Sequence, residues 1–134
     1  CTLPGQLTSE RIPPGQVEVG LGIHGEPGAV TRDMARADAL VDELITQVLN
    51  PGPGFRYLAL APGENVFLLV NNLGATTALE LAVVARRAII HLEGAHGVRV
   101  THALAGSYMT SLDMAGVSIS IMKLDEGLTR RVEA

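Results

Sequence analysis

Apolar residues alternate with polar ones in some segments of the chain and recur every three or four residues in others. The first pattern is typical of strands and the second of helices, while an unbroken apolar run indicates a strand buried on both faces. Four strands are predicted, over 15–24, 65–71 (the unbroken run), 97–105 and 116–124. Two helices are predicted, over 34–49 and 77–93.

Capping residues support the helix boundaries. Asp33 is a candidate N-cap for the first helix, Thr77 with Glu80 forms a capping box for the second, and Gly94 is its expected C-cap. The second helix is apolar on most sides, which predicts that it is well buried. The acidic residues of the first helix are expected on its solvated face: Asp38, Asp42 and Glu43.

The element order βαβαββ predicts an α+β fold with two layers, in which two main helices cover one four-stranded mixed sheet. A chain of 134 residues suffices for one domain, over 1–134. Because only one helix layer is predicted, the other sheet face is free to pack against another domain or a second copy. A homo-oligomer is therefore expected.

Composition excludes several classes of protein. The net charge is −4 and the basic residues are scattered, which argues against a nucleic-acid partner. The sequence has no run of about 18 apolar residues, which a transmembrane helix would need. No membrane partner is therefore expected. Cys1 is the only cysteine, which favours a cytoplasmic setting. The chain does not begin with Met, and it is interpreted as a fragment, a processed product or a truncated chain.

His24 is the most informative candidate for chemistry. The alternating run from Val17 to Ile23 leads into this histidine, and Gly22 and Gly25 leave little side-chain bulk around it. An accessible imidazole can act as a nucleophile or carry a proton near neutral pH. The alternative is a histidine held by hydrogen bonds within a Gly-rich turn.

Three polar, glycine-bearing loops each follow a predicted strand: 24–28, 71–74 and 106–116. If they converge, their side chains either bind a hydroxylated ligand or fix the loops. The candidates for these two roles, besides His24 and its glycines, are Glu26, Asn71, Asn72, Ser107, Tyr108, Thr110, Ser111 and Asp113.

Other motifs are absent or incomplete. Gly20-Leu21-Gly22 lacks the helix that a dinucleotide fingerprint requires, and no Walker A lysine motif is present. No cysteine or histidine cluster has metal spacing, and the remaining histidines are predicted to share no face: His91, His96 and His102.

Three strings closely resemble the second half of the K domain, the dihydroxyacetone-binding part, of the dihydroxyacetone kinase family. They are Gly-Leu-Gly-Ile-His-Gly-Glu-Pro-Gly (20–28), Val-Asn-Asn-Leu-Gly-Ala-Thr (70–76) and Ser-Tyr-Met-Thr-Ser-Leu-Asp-Met-Ala-Gly-Val-Ser-Ile (107–119). Their order agrees with the family, and the resemblance covers essentially the whole chain.

The resemblance implies that His24 binds the ketone carbon of dihydroxyacetone covalently as a hemiaminal. It also implies a partner L-type domain, which carries either ATP and magnesium or a bound ADP recharged by a phosphotransferase system; this chain itself is expected to bind no cofactor. The family's acid and base residues belong to the first half of the K domain, which these residues do not include. The isolated chain is therefore expected to be inactive as a kinase. The alternative is a non-catalytic interaction or regulatory module that retains the fold.

Overall fold

The computed structural model describes residues 12–22, 26–49 and 58–134. In chain order its strands and helices are β1 (Gln16–Val19), β2 (Val30–Asp33), α1 (Ala37–Leu49), β3 (Asn65–Asn72), α2 (Ala78–His96), β4 (Arg99–Gly106), β5 (Val117–Leu124) and α3 (Glu126–Val132).

The main sheet is mixed, with β3 between a parallel β4 and an antiparallel β5. The α+β class is thereby confirmed, but within the described residues the main sheet has three strands rather than four. The strand predicted over 15–24 is observed as the shorter β1, which pairs with β2 in a separate antiparallel hairpin. Gly20 follows β1 with a φ of 76°, a conformation that interrupts a strand.

The hydrophobic core lies between α1, α2 and one face of the main sheet. Val66, Leu68 and Val70 of β3 are fully buried there, in one cluster with residues of these two helices. The alternate residues Phe67 and Leu69 are only half-buried, because they point to the other face. The prediction that this strand is buried on both faces is therefore wrong for its second face.

Helix α2 begins as predicted and ends later. The capping box of Thr77 and Glu80 is formed, and Gly97, rather than Gly94, is the left-handed C-cap. The helix continues through Gly94 because Leu92 is completely buried and anchors the last turns in the core. It is less buried than predicted, since one side exposes three large apolar residues: Leu79, Val83 and Ile90.

The acidic residues of α1 do not only face solvent, because two of them form ion pairs. Asp42 accepts hydrogen bonds from the Arg87 guanidinium of α2, and Glu43 pairs with Arg32 of β2. These contacts tie α1 to its neighbours. Asp33 is not an N-cap, because α1 begins at Ala37 and the Asp33 carboxylate accepts a hydrogen bond from Gln16 Nε2 at 3.2 Å instead.

Candidate functional site

The carboxyl ends of β3 and β4 and the start of β5 meet at one edge of the main sheet. Such edges are common ligand sites in α/β proteins because the loops that follow the strands gather there. Two consecutive asparagines end β3 at this edge. Asn71 and Asn72 are 3% and 8% exposed, and polar side chains this buried need hydrogen-bond partners.

Asn71 holds the loop after β4. Its Oδ1 accepts hydrogen bonds from the backbone N–H groups of Tyr108 and Met109, both at 2.9 Å. Its Nδ2 donates to the Met109 carbonyl at 2.7 Å and to Ser118 Oγ at 3.3 Å. An amide side chain has two donors and two acceptor positions, so the capacity of Asn71 is fully used.

Asn72 holds the loop after its own strand. Its Oδ1 accepts from the N–H groups of Gly74 at 2.9 Å and Thr76 at 3.1 Å. Its Nδ2 donates to the Gly74 carbonyl at 3.3 Å and to Ser107 Oγ at 3.2 Å. The two loops are therefore joined through this one side chain, whose capacity is also fully used.

Further contacts close the junction between the loops. Ser111 Oγ donates to the Leu73 carbonyl at 2.8 Å and accepts from the Met114 N–H at 3.1 Å. Thr110 Oγ1 donates to the Asn72 carbonyl, and Thr76 Oγ1 donates to the Gly116 carbonyl at 2.8 Å. The loops 71–74 and 106–116 are thus brought together, and their polar side chains form hydrogen bonds to backbone groups.

The sequence did not single out Thr76 or Ser118 as part of this network. Each is an ordinary hydroxyl residue whose partner lies far away in the sequence, 40 positions for Thr76 and 47 for Ser118, so no local pattern marks it. Asp113 is exposed beside this junction, between Ser111 and Met114.

The loop 106–116 also carries exposed apolar side chains. Tyr108, Met109 and Leu112 are 56%, 61% and 94% exposed, although the backbone of the first two is fixed by Asn71. The Tyr108 ring lies close to Gly106, where an added Cβ would approach it to 3.3 Å. The loop is therefore anchored through its backbone while it exposes apolar side chains.

The turn that contains the predicted nucleophile is described only at its flanks. Gly22 N–H donates to the Glu26 carbonyl at 3.2 Å, and a Cβ at Gly22 would overlap the Glu26 side chain. Gly28 N–H donates to Glu18 Oε1 at 2.5 Å. His24 and Gly25 lie outside the described residues. The accessible imidazole and the convergence of this third loop with the other two remain predictions.

The other histidines lie away from this edge. His91 Nδ1 is 3.0 Å from Asp42 Oδ1, and the rings of His91 and His96 are 5.4 Å apart. Two of the three histidines predicted to share no face are therefore close together. Burial, aided by the nearby His91, holds the pKa of His96 below its usual range. His102 Nε2 lies 3.5 Å from Glu133. Within residues 12–22, 26–49 and 58–134, no group of His, Cys, Asp and Glu could hold a metal ion.

The described residues form an α+β domain in which the loops after β3 and β4 are joined at one edge of the main sheet. The chain belongs to the Dak1 domain family, whose model matches residues 1–134. This agrees with the resemblance carried by the three strings.

Sequence similarity to curated relatives extends over all or nearly all of this chain. It is 38% identical to the triokinase/FMN cyclase of Bos taurus, covering 100% of this chain and 23% of the relative. It is 36% identical to the dihydroxyacetone-binding subunit DhaK of the PEP-dependent dihydroxyacetone kinase of Escherichia coli, covering 94% of this chain and 40% of that subunit. The chain thus spans less than half the length of these relatives.

Solved structures share the fold. The dihydroxyacetone kinase from C. freundii, solved in complex with AMP-PNP and Mg²⁺, matches with a TM-score of 0.71 and 30% identity over 97% of this chain and 22% of that one. The dihydroxyacetone kinase operon co-activator Dha-DhaQ matches with a TM-score of 0.74 and 28% identity over 93% of this chain and 37% of that one. In the described part of the chain, no helix combines the length and apolarity needed to cross a bilayer.

Proposed function

We propose that this chain is the second, substrate-binding half of a K-type domain in a dihydroxyacetone kinase, and that His24 anchors the ketone. The observation that carries the proposal is the junction of the strings 70–76 and 107–119 at one sheet edge. The family match over 1–134 and the Gly-Ile-His-Gly sequence at 22–25 support it. A kinase in the cytoplasm agrees with the lone cysteine.

The proposed anchoring step is an addition to the carbonyl. The lone pair of a neutral imidazole nitrogen of His24 forms a bond to the ketone carbon, and the C=O π electrons move to oxygen. The oxygen takes a proton and the other ring nitrogen gives one up, so the product is a neutral hemiaminal. Glycerol has no carbonyl to accept the imidazole, so this step selects ketoses over polyols.

In this proposal, the hydrogen-bonded loops 71–74 and 106–116 keep the surroundings of the reaction in one arrangement. Gly22, Gly25 and Glu26 flank the nucleophile, while Asn71, Asn72 and Ser111 hold the neighbouring loops through hydrogen bonds. In this proposal they and Asp113 position the loops around the substrate. Preorganised surroundings favour reaction because orientation is fixed before the ketone arrives.

The phosphoryl donor belongs to a partner in this proposal. The sequence has no Walker A motif, and no group of acidic and histidine residues in its described part fits a magnesium ion. An L-type domain would supply ATP with magnesium, or ADP recharged by a phosphotransferase system. The first half of the K domain would supply the acid and base groups.

Carbon NMR tests the anchor directly. Dihydroxyacetone labelled at its ketone carbon is mixed with the longer protein that contains this chain and with its His24→Ala and His102→Ala variants. We expect a new tetrahedral-carbon signal in wild type and His102→Ala, and its loss in His24→Ala. His102 is the matched control because it is a histidine of β4 that pairs with Glu133. An unchanged signal in His24→Ala would overturn the proposal.

A second candidate function is a non-catalytic regulatory module. The structural match to the co-activator Dha-DhaQ favours it, because that protein is named for regulation rather than for catalysis. This function predicts no tetrahedral signal in wild type together with a stable homo-oligomer in size-exclusion chromatography with light scattering. A ketone adduct would argue against it.

A further inference from the structure

The carboxylate of Glu18 lies at the base of the turn that joins β1 to β2. Glu18 pairs with Thr31 across the hairpin, but its side chain extends toward the turn. There Oε1 accepts a hydrogen bond at 2.5 Å from the backbone N–H of Gly28, which is three residues closer to the turn than Thr31. Oε2 of the same carboxylate is shielded from solvent. A charged side chain of β1 thereby binds the backbone of the turn.

Gly28 allows this close approach because it has no side chain. An added Cβ at this position would lie 2.5 Å from Glu18 Cγ and 2.7 Å from the Val19 carbonyl oxygen. Contacts this short are atomic overlaps, so any larger residue would displace the carboxylate, the backbone or both. The glutamate and the glycine therefore form one closely fitted contact.

The same turn is also restrained by its own backbone. The Gly22 N–H donates to the Glu26 carbonyl at 3.2 Å. Three residues separate Gly22 from Glu26 in the sequence, and His24 is the middle one. Gly28 follows Glu26 by two residues, so both ends of the segment that carries His24 are tied to described parts of the hairpin.

The contact of Glu18 differs from another side-chain contact of the hairpin. Gln16 Nε2 donates to Asp33 Oδ1 at 3.2 Å, but this contact is exposed and lies at the end of the hairpin away from the turn. The Glu18 contact is part-buried and lies at the turn itself. A carboxylate is also a stronger acceptor for a backbone N–H than a neutral oxygen is. Glu18 is therefore well suited to fix the turn.

We propose that Glu18 is a positioning residue, which holds the turn so that the imidazole of His24 meets the ketone carbon of the substrate. The inference rests on the proposed function, because the group that it positions is the proposed anchor. Addition to a carbonyl requires a narrow range of distances and angles, so a small displacement of the turn disfavours the adduct. Glu18 acts through the backbone of Gly28 and does not itself touch the substrate.

Three substitutions in the longer protein separate the reach of this side chain from its charge. Glu18→Gln keeps an acceptor oxygen at the same reach without the charge, Glu18→Asp keeps the charge on a shorter side chain, and Glu18→Ala removes both. Asp33→Ala is the matched control, because it removes a carboxylate of the same hairpin at the end away from the turn. Carbon NMR with labelled dihydroxyacetone measures the equilibrium constant of the adduct, and calorimetry measures the thermal midpoint.

We expect Glu18→Ala and Glu18→Asp each to lower the adduct equilibrium constant by about tenfold, because the turn loses its fixed position. Glu18→Gln and Asp33→Ala should resemble wild type. An unchanged adduct in Glu18→Asp overturns the proposal, and this comparison with Glu18→Gln decides the matter even if Glu18→Ala does not fold. Equal losses in Glu18→Gln and Glu18→Asp would assign the effect to charge, and an equal loss in Asp33→Ala would assign it to the stability of the hairpin. Both outcomes also overturn it.

Hydrogen exchange of the Gly22 and Gly28 amides, measured without dihydroxyacetone, tells failure of the two proposals apart. Exchange should be faster in Glu18→Asp than in wild type and unchanged in Glu18→Gln. This exchange pattern in a protein whose wild type forms no adduct would contradict the role of His24 and retain Glu18 as the residue that holds the turn. An adduct of equal strength in wild type and all Glu18 variants would contradict the role of Glu18 alone.

Discussion

Asn71 and Asn72 show how two buried side chains can organise a surface site. Each satisfies both donors and both acceptor positions with protein groups, and together they bind backbone groups of four residues: Gly74, Thr76, Tyr108 and Met109. Groups used this completely are positioning residues, because contact with a ligand would require one of them to give up a hydrogen bond. In the proposed function, the reactive group is therefore a different residue, His24.

Asn71→Ala should destabilise the fold by about 2–4 kcal/mol, because a buried side chain is removed and the part-buried N–H and C=O groups of Tyr108 and Met109 lose their partner. Urea denaturation measures the free energy of unfolding, and hydrogen exchange of the Tyr108 and Met109 amides locates the effect. The matched control is Asn65→Ala at the other end of β3, which should cost less than about 1 kcal/mol. Equal losses in the two variants would contradict this role.

The sequence predicted that Asn71 and Asn72 lie in a loop at a strand end, but not what they bind. Their identity and position are local properties and can be read from the chain. Their partners, such as Ser107 and Ser118, lie 35 and 47 residues away, and only the folded sheet brings them near. The prediction therefore stayed open between ligand contact and loop positioning.

The elements β3, α2, β4 and β5 were predicted within about three residues because each has a strong periodic pattern. The hairpin of β1 and β2 was missed. Val30–Asp33 contains a single apolar residue and follows a stretch rich in glycine and proline, so its sequence indicated a turn. Pairing with β1 makes it a strand, and pairing is not a local property.

Gly74, in the connection after β3, is the position that we expect to tolerate substitution least. Its φ is 152°, and an added Cβ would lie 2.8 Å from both Met114 N and Ser111 O, across the contact between the two loops. Gly74→Ala should therefore destabilise the protein by at least about 2 kcal/mol. Thermal and urea denaturation measure the change.

Gly94→Ala is the matched control, because Gly94 is helical and has open space around its Cβ position. It should stabilise the protein by up to about 1 kcal/mol, since alanine favours a helix more than glycine does. Opposite signs for the two substitutions are the expected result. A neutral Gly74→Ala would show that the two loops can separate without cost.

At the scale of the whole molecule, α1 is joined to α2 by a charged cluster as well as by the core. The Arg87 guanidinium, through its hydrogen bonds to Asp42, holds the pKa of that carboxyl below its usual value of 3.8, and the nearby His91 acts in the same direction. Asp42 and Arg87 are 45 residues apart in sequence, so their pairing could not be read from a local pattern. Helical periodicity alone predicted Asp42 on a solvated face.

Asp42→Asn should lower the thermal midpoint near pH 7. A carboxyl whose pKa is lower in the folded than in the unfolded state stabilises the fold above the unfolded pKa, and this is lost as pH falls through the folded pKa. The difference from wild type should therefore shrink as the pH falls below about 3.8. Melting curves from pH 2 to 8 measure it.

Asp38→Asn, one turn earlier in α1, removes the same charge and should have a smaller effect at pH 7. A difference between wild type and Asp42→Asn that persists undiminished to pH 2 would contradict the ion-pair explanation.

The adjacency of the two asparagines has a consequence for how the sheet is assembled. Neighbouring residues of a strand point to opposite faces, so Asn71 and Asn72 each fasten a different side of β3. If β3 slipped by one residue against β4 and β5, Asn71 would lose its partners Tyr108, Met109 and Ser118, and Asn72 would lose Ser107. The pair therefore acts as a register mark for the central strand, because a misaligned sheet would leave hydrogen-bonding groups of both buried amides without these partners.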